Sequence, residues 1–497
     1  MTAATEVAYE VVIGLEVHAQ LLTHSKMFCG CSAEYAHAAP NSHVCPICMG
    51  MPGVLPVINR QAVEYTIMTG LALHCSVPEH SKFDRKNYPY PDLMKGYQIS
   101  QYDMPLCLNG YLTISTEAGE KRPGITRVHL EEDTATSKHF DGAAGTGGEG
   151  DGYSLIDVNR AGCALMEIVG EPDLRSSEEA RQYLIKLQQI LRYIGVSKAN
   201  MEEGNFRCDA NISLRRFGDP QLGAKVEIKN MNSFRSVARA LEYEIKRQSQ
   251  MLDRGERIAQ ETRGWVDDQA RTVSQRSKEF AHDYRYFPEP DLPPLNITAA
   301  EVATIRAKLP ELPDARRARF EQQYGLHAYD AELLTETRAR ADYYEAAVQA
   351  AGANGAAHAR AIANWLNGDF ARLLHAGGIE IADAKLTPQQ LAELVDLIES
   401  GTITGKAAKD VFEEAFAEGR SPRAIVEAKG LTRISDAGAI DAAARRVIEA
   451  NAKAVADYRS GKAAAINALK GRLMGETKGR ADPALAEATL KRLLDEG

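Results

Sequence analysis

At 497 residues the chain is too long for one compact core, and roughly two to four domains are expected. Its 44% hydrophobic and 26% charged residues are ordinary for a globular protein. No apolar run reaches the ~18 residues of a membrane span, the start MTAATEVAYEVV lacks the basic-then-apolar order of a secretory signal, and eight cysteines without export argue against a disulfide scaffold, so the cytoplasm is expected. The net charge of −9 argues against a chain dominated by nucleic-acid binding, although totals can hide local patches.

The first element is a strand through Val11-Val12-Ile13 and GLEVHAQL, which carries Glu16, His18 and Gln20 on one face. Next come Cys29-Gly-Cys31 and Cys45-Pro-Ile-Cys48. Four thiolates in two close pairs match the tetrahedral demand of a structural zinc ion, with four buried cysteines or a redox pair as the plainer alternative. Cys75, Cys107, Cys163 and Cys208 are isolated and read as small buried apolar residues. The segment Ser81 to Asp92, SKFDRKNYPYPD, sets Lys82, Arg85 and Lys86 among aromatics and prolines. It reads either as a stiff anion-capturing loop or as a solvated one.

Arg127-Val-His-Leu-Glu131-Glu132-Asp133 reads as a strand entering three consecutive acids, and a second acidic pair follows at Glu202-Glu203. Acids gathered on an open sheet face are costly unless a cation neutralises them. Oxygen ligands of this kind suit magnesium, which Glu16 and His18 would help to hold; a solvated turn and a hydrogen-bonded strand histidine are the competing readings. Residues 141–152, DGAAGTGGEGDG, read as a mobile hairpin loop. A helix is expected from about Ser177 to Ile194 and another from about Ser233 to Arg254. Between them, Arg207 to Arg215 alternates strictly, with Asp209, Asn211, Ser213 and Arg215 on one face; Lys225, Glu227 and Lys229 repeat the pattern. Such alternation fits an antiparallel sheet with one face on a core.

The proline-rich PEPDLPPL, Pro288 to Leu295, marks a domain boundary. From about residue 298 the chain is helical, with caps at Thr298 and Thr387 and breaks near Gly352 to Gly355, Gly377-Gly378 and Gly401 to Gly405. The tail carries Arg459, Lys462, Lys470, Arg472, Lys478 and Arg480 against one acid, Glu476. Neither a P-loop nor a dinucleotide-binding fingerprint occurs.

Taken together, GLEVHAQL, SKFDRKNYPYPD, KGYQISQYD, HLEEDTA, LIDVNRAG, LMEIVGEPD, MEEGNFRCDANIS, EIKNMNS, YRYFPEPDLPPL and the tail GRLMGETKGRADPALAEATLKRLL resemble the B subunit of the aspartyl/glutamyl-tRNA amidotransferase, in order along nearly the whole chain. The resemblance implies an α+β fold: an antiparallel β cradle with flanking helices (1–293), an all-α helical domain (294–403) and a small all-α tail domain (404–497). It implies phosphorylation of the side-chain carboxylate of Glu-tRNA(Gln) or Asp-tRNA(Asn) with ATP and Mg2+. Amidation would follow, by ammonia that an amidase subunit releases from glutamine, with a small strap subunit in the same heterotrimer. The resemblance places Glu16, His18, Glu131 and Glu132 at the magnesium site. Glu167, Glu202, Glu203, Asp209 and Asn211 would stand around that site or along an ammonia channel; Lys82, Arg85, Lys86, Asp209 and Asn211 would be near substrate. Lys462, Lys470, Arg472, Lys478 and Arg480 would meet tRNA phosphates. Two departures flank the site: Ala164 stands where the family commonly has Pro, and Pro89 where it has an aromatic. The four cysteines occur in only part of the family, so zinc would be a stabiliser. The rival reading is a non-catalytic, zinc-stabilised tRNA-binding scaffold.

Overall fold

The computed structural model describes residues 9–140, 153–277, 284–434, 436–462, 464–477 and 479–496; the glycine-rich 141–152 stretch and Lys478 lie outside them. The chain separates into two compact units, 1–312 and 313–497.

The first unit is built on an eight-stranded sheet. In spatial order its strands are Arg271–Ser277, Glu261–Val266, Val226–Met231, Phe206–Arg216, Tyr9–Gln20, Ala164–Gly170, Gly124–Glu132 and Cys107–Tyr111. All neighbours are antiparallel except Val226–Met231 with Glu261–Val266. That pair is joined through the helix Phe234–Asp253, and a parallel pairing needs such a crossover. The central strand Tyr9–Gln20 is buried continuously from Val12 to Leu15 and then alternates, with Val17 and Ala19 buried and Glu16, His18 and Gln20 part-exposed. Phe206–Arg216 alternates in the same sense as far as Ile212, after which Ser213, expected on the open face, is buried as well.

The apolar face packs into one core. Val17, Ala19, Ile168, Cys208 and Ala210 from the sheet join Tyr183, Leu187 and Leu191 of helix Ser177–Tyr193, and Val237 and Leu241 of helix Phe234–Asp253. Ser176 and Ser233 cap these helices by accepting from Glu179 N and Ser236 N, and Glu178 and Glu179 sit in the favoured first turn of the former. A third helix, Arg60–Ala72, has no counterpart in the sequence reading. Eight of its residues, from Ala62 to Ala72, are buried, so it shows no polar stripe, and Val63, Thr66 and Ile67 mimic a strand. It approaches the sheet closely at Gly70, where a Cβ would lie 2.3 Å from Cys107 Sγ.

The proline-rich stretch is bound to the first unit. Phe287–Pro288 pairs with Arg85 and Asp84, and Leu295–Asn296 pairs with Ser81 and His80. Two-residue edge pairings of this kind tolerate proline. Helix Ala299–Ala307 follows, with a complete Thr298–Glu301 capping box.

The second unit is helical among its described residues and holds two separate cores. Phe320, Tyr344, Leu391 and Phe412 belong to one; Ile440, Leu469, Leu473 and Leu490 belong to the other. Thr387 and Gln390 form a capping box, Gly378 ends its helix at φ 59°, and Thr404 caps the helix Gly405–Glu418. Thr404 Oγ1 also donates to Gly479 O, and Arg433 N to Thr402 O, tying the tail to the helices before it.

Candidate functional site

Register decides which side chains meet on the open face. His18 lies opposite Glu167, which lies opposite His129, and on its other side His18 faces Arg207. Glu131 stands one row further along the strand Gly124–Glu132, on the same face as His129. The result is a tight cluster. His18 Nε2 lies 3.3 Å from Glu131 Oε1 and 3.4 Å from Glu167 Oε2, and His129 Nε2 is 3.4 Å from the same Glu167 oxygen. One donor atom each from His18, Glu131 and Glu167 falls within 4.8 Å of the others. The carboxylates are almost covered, whereas the His18 side chain keeps 22% of its surface open to solvent.

The electrostatics follow from this crowding. Burial alone would discharge the His18 imidazole, but contact with Glu131 and Glu167 lifts its pKa to about 10. Burial works against Lys86 too, but Glu131, Tyr286, Tyr88 and Glu167 together outweigh it, so its ammonium is held charged. Glu131 is held below the usual carboxylate range despite burial, by His18 and Lys86. Two buried carboxylates here require positive charge, and the protein supplies it from an imidazole and an ammonium. Two carboxylate oxygens and an imidazole nitrogen at this spacing also fit a single divalent cation.

The three consecutive acids part company, which relieves the repulsion evident in the sequence. Glu131 joins the cluster. Glu132 points to the opposite face, accepts from Ile99 N at 2.9 Å and pairs with Lys95. Asp133 accepts from Arg207 Nη2 at 2.9 Å and from Gln20 Nε2 at 2.6 Å. Glu16 shares the open face with His18 but stands outside the cluster, accepting from Asn211 Nδ2 at 2.9 Å. Burial raises its pKa, reinforced by Glu167, Asp209 and Glu227. Lys229 partly offsets that band, 2.5 Å from Asp209 and 3.3 Å from Glu227. Glu202 and Glu203 lie in an exposed turn, where Glu203 is held by Asn200 and Asn205.

Of the basic loop, Lys86 alone faces the cluster. Arg85 makes a two-pronged pair with Glu289 at 2.7 and 2.8 Å, and Lys82 is shared between Asp84 and Asp103. In the tail, Lys462 pairs with Asp457, Lys470 with Glu487, and Arg480 donates to the carbonyls of Gly430 and Thr477; Arg472 is exposed. Sequence reasoning gave Glu167 only an outer role and passed over His129. The signal was present: a lone charge in the apolar run LMEIV, and a histidine two residues before Glu131 on a strand.

Cys29, Cys31, Cys45 and Cys48 also bring their sulfurs within 4.8 Å of one another, a group that could hold a metal ion. The Cys29 thiol, hydrogen-bonded to it, pulls the Cys48 pKa down to about 4. The fully buried Lys26, whose ammonium donates to Val158 O at 3.3 Å, offsets thiolate charge nearby. A cavity of about 210 Å³ separates this knuckle from the Lys95–Glu132 pair. Ala164 opens its strand opposite Glu132 in regular antiparallel register.

The chain matches two family models, the GatB/GatE catalytic domain over residues 11–303 and the GatB domain over residues 342–494. Its relatives include proteins named as the B subunit of aspartyl/glutamyl-tRNA(Asn/Gln) amidotransferase. That of Dehalococcoides mccartyi is 55% identical over 494 residues, covering 98% of this chain and 99% of its own. That of Thermomicrobium roseum is 54% identical over 488 residues, with 98% and 99% covered. The Carboxydothermus hydrogenoformans protein is 53% identical over 483 residues, with 97% and 98% covered.

Proposed function

The chain belongs to the family of aspartyl/glutamyl-tRNA(Asn/Gln) amidotransferase B subunits, and from that premise we propose that it phosphorylates the side-chain carboxylate of Glu-tRNA(Gln) or Asp-tRNA(Asn) with ATP and amidates it with ammonia. The product would be Gln-tRNA(Gln) or Asn-tRNA(Asn), made in the cytoplasm by a carbon–nitrogen ligase that takes its ammonia from glutamine. The observation that carries this reading is the cluster of His18, Glu131 and Glu167 on an open sheet face beneath Lys86.

A carboxylate acylates poorly until one oxygen becomes a good leaving group, and making it so calls for positioning and charge neutralisation more than covalent help. His18, Glu131 and Glu167 would hold Mg2+, which when bound supplies charge neutralisation to the ATP phosphates. Lys86 would bring a second positive charge to the transferring phosphoryl group. The acidic band of Glu16, Asp209 and Glu227, partly open and polar, suits the passage of ammonia toward the activated carboxyl. Glu132 and Arg85, each engaged by neighbours, would serve as positioning residues.

Partners follow from the same reading: the misacylated tRNA, the amidase and the small strap subunit. The division into a cradle (1–293), a helical domain (294–403) and a tail (404–497) would assign chemistry to the first and tRNA binding to the others. The Lys462–Asp457 pair is exposed and the Lys470–Glu487 pair half-buried, and such pairs are weak in water, so both lysines can exchange their carboxylate partners for phosphates at modest cost. The cysteine knuckle would hold zinc as a staple, with Lys26 balancing its charge.

The test is reconstitution. The chain, co-purified with candidate amidase and strap partners, should convert Glu-tRNA(Gln) or Asp-tRNA(Asn) to the amide only when ATP, magnesium and glutamine are all present. Amide formation without ATP, or tRNA binding with no turnover on either substrate, would overturn the reading in favour of another chemistry or of a scaffold.

A further inference from the structure

The loop Ser81 to Asp92 contributes Lys86 to the site, but its tyrosines have been given no task. Tyr88 and Tyr90 come from this loop, Tyr102 from the turn after strand Tyr97–Ser100, and Tyr284 and Tyr286 from a distant segment. The two parts of the chain are tied by Asn87, whose N donates to Tyr284 O at 3.0 Å and whose Nδ2 donates to Arg285 O at 2.9 Å. Arg285 sits at φ 45°, a left-handed conformation that is costly outside glycine. Either side of it, the rings of Tyr284 and Tyr286 meet edge to face at 6.1 Å.

The tyrosines form a continuous run. At its inner end Lys86 Nζ lies 4.9 Å from the Tyr284 ring centre and 5.7 Å from that of Tyr88, and its charge faces Glu131 and Glu167. At its outer end Tyr286 stacks on Tyr102, with ring centres 4.2 Å apart and planes 10° from parallel. Tyr102 is 57% exposed and Tyr90 50%. Asp84, itself buried, accepts from Tyr102 N at 3.0 Å and is held by Lys82, so the outer ring stands on a fixed support.

We propose that the Tyr102–Tyr286 stack is the platform on which the unpaired nucleobases at the 3′ end of the aminoacylated tRNA lie during the reaction. The inference rests on the function proposed above. In an aminoacyl-tRNA the amino acid is esterified to the terminal ribose, so its side-chain carboxylate reaches Glu131 and Glu167 only if the last nucleoside sits a few bonds away. Single-stranded bases present flat π-faces, and exposed aromatic rings bind them regardless of sequence. The run leads from the carboxylate cluster to open solvent, where an arriving strand can lie across it. The cost of holding large rings in water at a rigid edge is then offset when substrate covers them.

The experiment measures binding of uncharged tRNA, intact or trimmed of its 3′-terminal nucleosides, to the full-length chain by fluorescence anisotropy. Wild type should prefer the intact tRNA. Tyr102→Ala and Tyr286→Ala should each weaken intact tRNA about tenfold and leave trimmed tRNA unchanged, while Tyr102→Phe and Tyr286→Phe should behave as wild type. An unaltered intact-to-trimmed ratio in both alanine variants would overturn the platform while leaving tRNA binding established. So would a rise in the KM for ATP with that ratio unchanged, because the rings would then serve the nucleotide. Failure of wild type to bind either tRNA would instead remove the proposed function on which the platform depends.

Discussion

Glu131 and Glu167 are separated by a strand crossing in sequence and by one imidazole in space, and His18 touches both. Replacing either acid by glutamine keeps the shape and removes one of two charges needed to hold a divalent ion. Glu131→Gln and Glu167→Gln are each expected to lower ATP-dependent phosphate release on the order of 10²-fold, with the thermal midpoint kept and tRNA binding intact. Wild-type rates in both variants would remove the cluster from the chemistry. Part of this site was legible in the sequence. His18 and Glu131 stood out because ionisable residues on alternating strands must face a partner, water or a ligand. Glu132 was indistinguishable from Glu131 by type; strand alternation sends it to the other face, but only a fixed register shows that Lys95 and Ile99 receive it there. Glu167 gained its place through pairing with His18 across strands far apart in sequence, a long-range fact that local pattern does not contain.

Elements were read most reliably where chemistry is local. Thr298 and Thr387 cap the helices expected of them because a side-chain oxygen and an N–H three residues on are enough to define a start. The helix Arg60–Ala72 was missed because it is surrounded by protein, so its pattern carries no stripe. Within the helix Phe234–Asp253, Glu244 is fully buried and binds Arg247 at 2.8 Å, Arg263 at 3.2 Å and the Thr272 hydroxyl at 2.5 Å. Burial would raise its pKa, but Arg247, Thr272 and Gln248 hold it below the usual carboxylate range. A carboxyl with a depressed folded pKa stabilises the protein above its unfolded pKa and loses that contribution as pH falls through the folded one. Glu244→Gln should therefore cost about 3 kcal/mol at neutral pH, with a smaller penalty in acid, checked by urea unfolding at two pH values. A penalty independent of pH would assign the loss to packing. The cysteine knuckle gives a second test at this scale. The purified chain should carry zinc by elemental analysis, and Cys45→Ser should lower zinc content and thermal midpoint together while leaving the cluster's activity measurable. A metal-free chain of unchanged midpoint would make the cysteines merely free thiols.

Across the whole molecule, the change of composition after residue 298 announced a strand-rich part and a helical part, and the order of elements agrees, with the named strands before it and helices after it among the described residues. The helix Ala299–Ala307 nevertheless belongs to the first unit, where Lys308 pairs with Glu64, because helical pattern says nothing about which core a helix joins. A chain ending at residue 312 should keep its β-sheet circular dichroism and cooperative melting, yet lose tRNA affinity at moderate salt. Full tRNA affinity in the truncated chain would contradict a tRNA role for the helices. On the proposed function, His18, Glu131 and Glu167 on the open face of the eight-stranded sheet would hold one divalent ion. Manganese soaked into crystals of the full chain, located by its anomalous scattering, tests it most directly. The expected result is a peak bonded to His18 Nε2, Glu131 and Glu167 that vanishes in Glu131→Gln; a manganese ion bound elsewhere, with no peak at this cluster, would contradict it.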